Sequence, residues 1–319
     1  MISHQPSVTI GMPVYNAQRY LEQALDSLLA QTYTDFELMI ADNASTDKTQ
    51  EICLAYAAKD SRIRYHRNEK NLGAAPNFNL LFQLSSSKYF KWAPYDDLVE
   101  PTFLARCVEV MEQHPEAVLC YCRAKIIDEQ GAYVVDYNPG PDTSSAKPHE
   151  RFGNLILRPE YAVQQMALIR SAILKATGLY GSFPSSDEVL LAELALRGRF
   201  YEIPERLYLY RLHEQQSNRN ELKVQRARSV WFDSALAGKI VLPKWRYCSA
   251  CLAVIQRTPL SFVERLRCYR QVGRWLLKPP NFRAMGKDVL LAATQLGFRL
   301  VQKSRAKVQQ TIRRTEITT

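Results

Sequence analysis

The sequence predicts an α/β fold, a mostly parallel central sheet with flanking helices, followed by a C-terminal α-helical region. Three observations carry that prediction. Strand-like and helical segments alternate over residues 8–114, each strand runs out into a polar loop, and the net charge changes sign along the chain.

Residues 8–10 with Met12 and Val14 form a continuous apolar run, the mark of a buried strand, ended by Pro13 and free to bend at Gly11. From residue 19 to 31, Leu21, Ala24, Leu25, Leu28 and Leu29 recur at helical spacing and predict a helix with one buried stripe. Residues 36–41 read as a second strand that runs into the turn-rich string DNAST. Residues 47–59 follow as a helix, with Ile52, Leu54, Ala55 and Ala58 as its apolar positions. Residues 63–66 predict a third strand, the loop NEKNLGAAPN leads to a helix ending near Leu84, and residues 89–92 predict a fourth strand. Alternation of this kind implies a largely parallel sheet covered by helices. A helix over 101–114, a strand near 118–121 and the hairpin IIDEQGAYVV, turning at Gly131, come next. Residues 136–150, DYNPGPDTSSAKPHE, are rich in Pro, Gly and Ser, and are long enough to form a lid.

In open sheets of this type ligands bind beyond the carboxyl ends of the strands. Residues 13–16, 42–47, 68–77 and 95–97 are the polar loops at those ends, and the fold would gather them on one rim.

The 319 residues, 46% of them hydrophobic, suffice for one large domain with an appendage and exclude disorder across the whole chain. The opening MISHQPSVTIGM lacks the basic and long apolar regions of a secretory signal, so a cytoplasmic location is expected. Nowhere does an apolar run reach the roughly 18 residues of a membrane-spanning helix. Seven scattered cysteines point to reduced thiols rather than a disulfide framework. Cys120 with Cys122 and Cys248 with Cys251 could serve a metal or redox site, but neither pair has a second matching pair, and packing is the plainer role.

Residues 221–319 carry 20 Lys and Arg against 5 Asp and Glu, a net of +15, whereas residues 1–220 carry 22 against 27, a net of −5. This asymmetry divides the chain into an expected catalytic domain, residues 1–219, and a basic helical region, residues 220–319.

Asp96 and Asp97 follow a strand directly, and adjacent carboxylates there need a cation or solvent because burial of either alone is costly. Mg²⁺ or Mn²⁺ would take such oxygens and share its coordination with substrate phosphates. A solvated turn capping the next helix is the plainer alternative. Asp42, at the end of the second strand, could accept from a nucleobase imide or ribose hydroxyls, or close a local Asx turn. Asp47 falls in the first turn of a helix, where the helix dipole alone favours a carboxylate. Asp187, in SSDEVLLAELALRGRF, could act as a general base toward an acceptor hydroxyl, or cap its helix in competition with Ser185 and Ser186.

Taken in order, TIGMPVYNAQRYLEQALDSLLAQT, DFELMIADNASTDKT, NLGAAPN, KWAPYDDLVEP, SSDEVLLAELALRG and YRLHEQQS resemble the family 2 glycosyltransferases of the GT-A fold, across residues 7–217. The resemblance implies a Rossmann-like, GT-A type sheet and metal-dependent, inverting transfer from a nucleotide-sugar donor. Pro13, Val14, Tyr15, Asn16 and Asp42 would hold the nucleotide, with Gly73 and Arg211 joining the donor set. Asp96 would contact ribose or the cation, and Asp97 would bind the metal. His213 matches a histidine that approaches the diphosphate or metal in similar proteins, and a surface loop residue is its alternative. The family often has an aspartate where this chain has Tyr95, which leaves the metal fewer protein carboxylates. Asp187 falls at the position of the family's catalytic base, with Ser186 where an acidic residue often precedes it and Glu188 as a second candidate.

The expected partners are therefore a UDP-, GDP- or dTDP-sugar and a glycan or lipid-linked acceptor, in polysaccharide or glycolipid assembly, with Mn²⁺ or Mg²⁺ as cofactor. For the basic region two readings stand. Its helices, with Val230, Trp231, Ala235 and Leu236 early and Val289, Leu290, Ala293, Leu296 and Val301 late, could lie on an anionic membrane at its inner, cytoplasmic face, or pack on the catalytic domain with a solvated basic face. Nucleic acid is not an expected partner, since basic charge is its only sign. A nucleotidyltransferase would need a Gly-rich, Arg- or Lys-bearing first loop in place of GMPVYNA, and a dinucleotide enzyme would need GxGxxG there. A non-catalytic nucleotide-sugar-binding protein would not need to keep Asp42, Asp97 and Asp187 together.

Overall fold

A computed structural model describes residues 5–137, 143–158, 163–214, 216 and 225–297. The first half alternates as the periodicity requires: β1 (Val8–Val14), α1 (Leu21–Leu29), β2 (Phe36–Asp42), α2 (Thr49–Lys59), β3 (Ile63–Arg67), α3 (Ala74–Leu84) and β4 (Tyr89–Trp92). Then come β5 (Leu98–Val99), α4 (Phe103–Gln113), β6 (Ala117–Ile127), β7 (Tyr133–Tyr137), α5 (Pro148–Leu157), a 3-10 turn (Gln164–Met166), β8 (Leu168–Arg170), α6 (Ser171–Lys175), α7 (Ser186–Arg197) and β9 (Arg199–Arg211). The basic region supplies α8 (Gln225–Phe232), α9 (Pro243–Arg257), α10 (Phe262–Leu276) and a further helix over residues 279–297.

One sheet runs in the order β3-β2-β1-β4-β8-β6-β9-β5, with β7 added to β6. β1, β2, β3, β4, β6 and β9 share one direction, and β5, β7 and β8 oppose it. The carboxyl ends of β1, β2, β4 and β9 therefore lie at one edge. β8 runs the other way, so the 3-10 turn that precedes it joins the same edge.

A buried layer covers each face. Val8, Ile10, Met12 and Val14 alternate onto the face closed by α1 and α4, where Leu21, Leu25, Phe103 and Met111 are buried. The opposite face holds Phe82, Phe90 and Trp92 under α3, α5 and α7, and the buried residues of α9 and α10, among them Val254 and Trp275, continue the same cluster. α7 and α9 are also joined by charge. Glu193 is buried and accepts from Arg257 Nε at 2.7 Å, Arg197 Nη2 at 3.0 Å and the Gly178 amide at 3.1 Å. Loss of Arg257 would leave that buried carboxylate with Arg197 as its cationic partner among the described residues.

Several local expectations need correction. β1 continues through Pro13, whose missing N–H does not end a strand paired in register with Ala41. Gly11 is less a bend than a close approach, because a Cβ there would meet Phe90 Cζ at 2.8 Å. In α2, Leu54, Ala55 and Ala58 face solvent, while Thr49 and Cys53 are buried. α3 begins at Ala74, inside the segment read as a loop. All seven cysteines are buried and unpaired. Of the segment expected as a lid, residues 138–142 lie outside the described residues. β7 and α5 border it, and Ser145 O accepts from Arg151 Nη1 at 2.6 Å. Val301 also lies outside the described residues.

Candidate active site

The first two loops of the rim lock onto one another. Asn16 N donates to Ser45 Oγ (2.9 Å), Thr46 N to Asn16 Oδ1 (2.9 Å), Ala17 N to Thr49 Oγ1 (2.7 Å) and Gln18 N to Asp47 Oδ2 (3.2 Å). Burial alone would raise the Asp47 carboxyl, but its bonds from Thr49 and Gln18 hold it below the usual range. Asp47 thus fixes the loop. Asn16, Ala44 and Ser185 have φ of 49°, 62° and 65°, a left-handed conformation that costs free energy for residues other than glycine and concentrates at functional sites. All three lie in the loops of this edge. Tyr15, by contrast, is free to meet a ligand, with 44% of its surface exposed.

Asp42 is fully buried. Its Oδ1 accepts from the Ser45 amide at 2.8 Å, and its Oδ2 from Tyr65 Oη at 2.8 Å and Arg67 Nη1 at 2.6 Å. Tyr65 and Arg67, on the neighbouring strand β3, went unnoticed in the sequence. Both Asp42 oxygens are thus engaged by protein donors, and Arg67, whose Nη2 also reaches Ser45 O at 2.9 Å, is the partly exposed member of the group. An amide network completes this side of the rim, buried at Asn43, Asn68 and Asn77: Asn43 bonds the exposed Asn71, Gly73 O and Asn68, while Asn77 bonds Asn68 and Ala41 O.

Gly73 has a packing role. Its φ of 91° and ψ of 171° suit only glycine, and a Cβ there would meet Asp233 Cα at 2.7 Å and Ser234 N at 2.8 Å. The segment after α8 is seated in that notch, with Ser234 N donating to Leu72 O at 3.2 Å. Gly73 was expected among the donor contacts, and this docking accounts for a glycine there without one.

Beyond β4 the two aspartates part. Asp97 turns inward, where Oδ1 accepts from the Arg211 amide at 2.8 Å and Oδ2 from Tyr208 Oη. Burial, and then the neighbouring Asp96, push its carboxyl well above the usual range. Next to it a small cavity of about 10 Å³, room for a single water, is lined by Ser27, Lys91 and Tyr208. Burial lowers the Lys91 ammonium to about 8.

Asp96 stays at the surface, with 17% of its side chain exposed, and its Oδ2 lies 2.9 Å from Nε2 of the buried His213. That separation is a direct hydrogen bond between the two side chains, which a divalent ion held by both would have to displace. His213 Nδ1 is buried without a partner among the described residues. No cluster of three His, Cys, Asp or Glu forms a metal site among them, so water and a diphosphate would complete the coordination. Of the two aspartates, Asp96 is the one with an exposed carboxylate, and Asp97, expected to bind the metal, has both oxygens engaged by protein donors.

Arg211 is fully buried, and four of its five N–H donors meet protein acceptors: Nε on Asp96 O (2.8 Å), Nη1 on Asp128 O (3.3 Å) and Glu129 O (3.0 Å), and Nη2 on Gln23 Oε1 (2.7 Å). Its guanidinium also lies 4.7 Å from the centroid of the Tyr20 ring. The residue ties α1, the β6–β7 turn and Asp96 together. Its full burial stands against the donor contact expected of Arg211.

Asp187 sits in the first turn of α7. Its Oδ2 accepts from Gln165 Nε2, in the turn before β8 that borders the end of β4, and its Oδ1 is buried with no partner among the described residues. Burial raises its carboxyl, and so favours a base of greater proton affinity. Glu188 interacts instead with Lys244 and Tyr247 of α9, and burial and Asp187 push it up to about 7. Of the two candidates, Asp187 is the one tied to the rim.

A profile of Glycosyl transferase family 2 matches residues 9–178, more than half of the chain. An uncharacterised glycosyltransferase of Rickettsia typhi is 30% identical over 146 residues, covering 46% of this chain and 45% of that one. The chain thus spans about half the length of that relative. One from Haemophilus influenzae is 25% identical over 218 residues, covering 67% of this chain and 68% of its own. Among solved structures, TarS of S. aureus in complex with UDP-GlcNAc superposes with a TM-score of 0.62 at 14% identity, over 91% of this chain and 81% of that one. A mannosyltransferase of Pyrobaculum calidifontis in complex with GDP-Man and Mn²⁺ gives 0.53 at 15% identity, over 95% and 81%. The likeness in fold is to the GT-A glycosyltransferases.

Proposed function

Because the chain belongs to glycosyltransferase family 2, we propose that it transfers a sugar from a nucleoside diphosphate to a hydroxyl acceptor, with inversion at the anomeric carbon. The observation that carries this reading is the convergence on one sheet edge of Asp96 with His213, the Tyr15–Asn16 loop, and Asp187 with an unpartnered buried oxygen.

In this reading the base and ribose lie along Tyr15, Asn16 and Arg67, with Asp42 holding Arg67 in place. Bound between Asp96 and His213, Mn²⁺ or Mg²⁺ would supply Lewis-acid stabilisation of the leaving diphosphate. Asp187 takes the proton of the attacking hydroxyl while Gln165 fixes its other oxygen. The acceptor oxygen bonds to the anomeric carbon as the bond to the diphosphate breaks, so a single displacement inverts that carbon and needs no enzymic nucleophile. Arg211 and Asp97 act behind the site, holding the backbone that aims Asp96.

UDP-, GDP- and dTDP-sugars are the donor candidates, and a glycan or lipid-linked glycan is the acceptor class, in polysaccharide or glycolipid assembly. The TarS and mannosyltransferase complexes with UDP-GlcNAc and GDP-Man support a donor of this class. Unpaired, buried cysteines accord with a reducing, cytoplasmic setting. No described helix is long and apolar enough to cross a membrane.

The test is calorimetric titration of UDP, GDP and dTDP with and without Mn²⁺, on wild type and Asp96→Ala. One nucleotide should bind with Mn²⁺-dependent affinity that the substitution removes. Absence of binding by all three would refute the donor reading. Binding without any turnover would favour a nucleotide-sugar-binding protein.

A further inference from the structure

We propose that the outer face of α10 and of the helix over 279–297 docks in the plane of an anionic phospholipid bilayer. This deepens the acceptor half of the function proposed above and rests on it, since a lipid-linked acceptor would be met at that surface.

α10 buries Cys268, Val272 and Trp275, and leaves Phe262 (73% exposed) and Leu266 (51%) in solvent on its other side. Arg270 and Arg274 lie along that same side. The chain then turns through Leu277, which is 82% exposed.

The next helix is anchored by its inner side, where Asp288 Oδ2 accepts from the Lys244 amide at 2.7 Å and Met285 O from Trp245 Nε1 at 3.2 Å. Opposite that side it presents Leu290, 65% exposed, with Arg283 and Lys287 at helical spacing on the same face, while Phe282, Val289 and Leu296 are exposed along one flank. An apolar face this extensive is uncommon on a surface that stays in water.

The charges decide what covers it. Over residues 262–297 the acidic side chains are Glu264 and Asp288. Glu264 is paired with Arg267 and His149, and Asp288 is buried. The exposed face therefore offers apolar groups and cations with no free anion among the described residues. A second copy of such a face would repel it, whereas anionic headgroups over acyl chains match both components.

Full-length protein is floated with vesicles of phosphatidylcholine alone and of phosphatidylcholine mixed with phosphatidylglycerol. It should rise with the anionic vesicles only. Leu277→Ser/Phe282→Ser and, separately, Arg270→Glu/Arg274→Glu should each weaken that binding about 10-fold or more, with nucleotide affinity unchanged. Absence of flotation, flotation that survives the serine pair, or self-association through this face without lipid binding would each overturn the proposal. Flotation of a wild-type protein that binds no nucleotide would uphold the docking face and contradict the donor reading instead.

Discussion

Arg211 stands beside His213 in the sequence, where it reads as a ligand contact, yet the structure gives it another task, and Arg211→Met separates the two. Methionine keeps most of the stem volume and removes the guanidinium. Four acceptors then lose their donor: Asp96 O, Asp128 O, Glu129 O and Gln23 Oε1. A hydrogen bond to a charged donor contributes roughly 1.5–3 kcal/mol net, but the bond to Asp128 O is long and water can reach some of the vacated acceptors, so the expected loss is about 3–5 kcal/mol. Urea unfolding followed by tryptophan fluorescence measures it. Calorimetry at a temperature where the variant is folded should give nucleotide affinity lowered by no more than about 10-fold, roughly 1.4 kcal/mol, since Asp96 loses one backbone anchor and keeps its carboxylate. Unaltered stability together with a large loss of nucleotide affinity would refute the reasoning, because it would require the guanidinium to reach the donor.

Three further outcomes follow from the same geometry. Asp97→Asn should keep metal-dependent nucleotide binding and change stability by about 1 kcal/mol or less, since its carboxyl is pushed toward the neutral form, while Asp96→Asn should lose metal dependence; parallel Mn²⁺ titrations in which Asp97→Asn is the damaged variant would reverse the assignment. Glu188, raised to about 7 from its ordinary 4.5, contributes stability that is full below the unfolded value and is lost as pH rises through about 7. Glu188→Gln should therefore gain about 2 kcal/mol relative to wild type between pH 5.5 and 8 in urea midpoints, and a gain confined to acid pH would contradict the sign. Gly73→Ala should cost roughly 2–4 kcal/mol from backbone strain and the clash with Asp233, measured by thermal melting, and a wild-type melting temperature would contradict the docking of residues 233–234 on this loop.

Much of the frame was legible because hydrophobic periodicity and sheet topology obey local rules. The apolar run from Val8, the helical spacing of Leu21, Leu25 and Leu28, and the polar loops after β1, β2 and β4 appear in the structure at the rim where the sequence puts them. What was not legible depends on contacts between distant segments. No pattern in the sequence shows that Tyr65 and Arg67, a strand away, enclose Asp42, although their alternate positions on β3 place them on one face. Gly73 reads as a ligand-facing glycine because the segment that fills its notch arrives 160 residues later. For adjacent Asp96 and Asp97, the sequence holds no sign of which turns inward. That is set by β5 pairing with β9, which carries Tyr208 up to Asp97. In α2, burial of Thr49 and Cys53 rather than Leu54 reflects the locking of the first two loops, not the helix's own hydrophobic pattern.

The most direct measurement is release of nucleoside diphosphate from a panel of UDP-, GDP- and dTDP-sugars in the presence of Mn²⁺ or Mg²⁺, with acceptor extract, for wild type, Asp96→Asn and Asp187→Asn. The account predicts release from one nucleotide class, abolished by EDTA and by Asp96→Asn, and reduced about 10²–10⁴-fold in Asp187→Asn with donor binding retained. Turnover unaffected by either substitution would contradict the site assigned here.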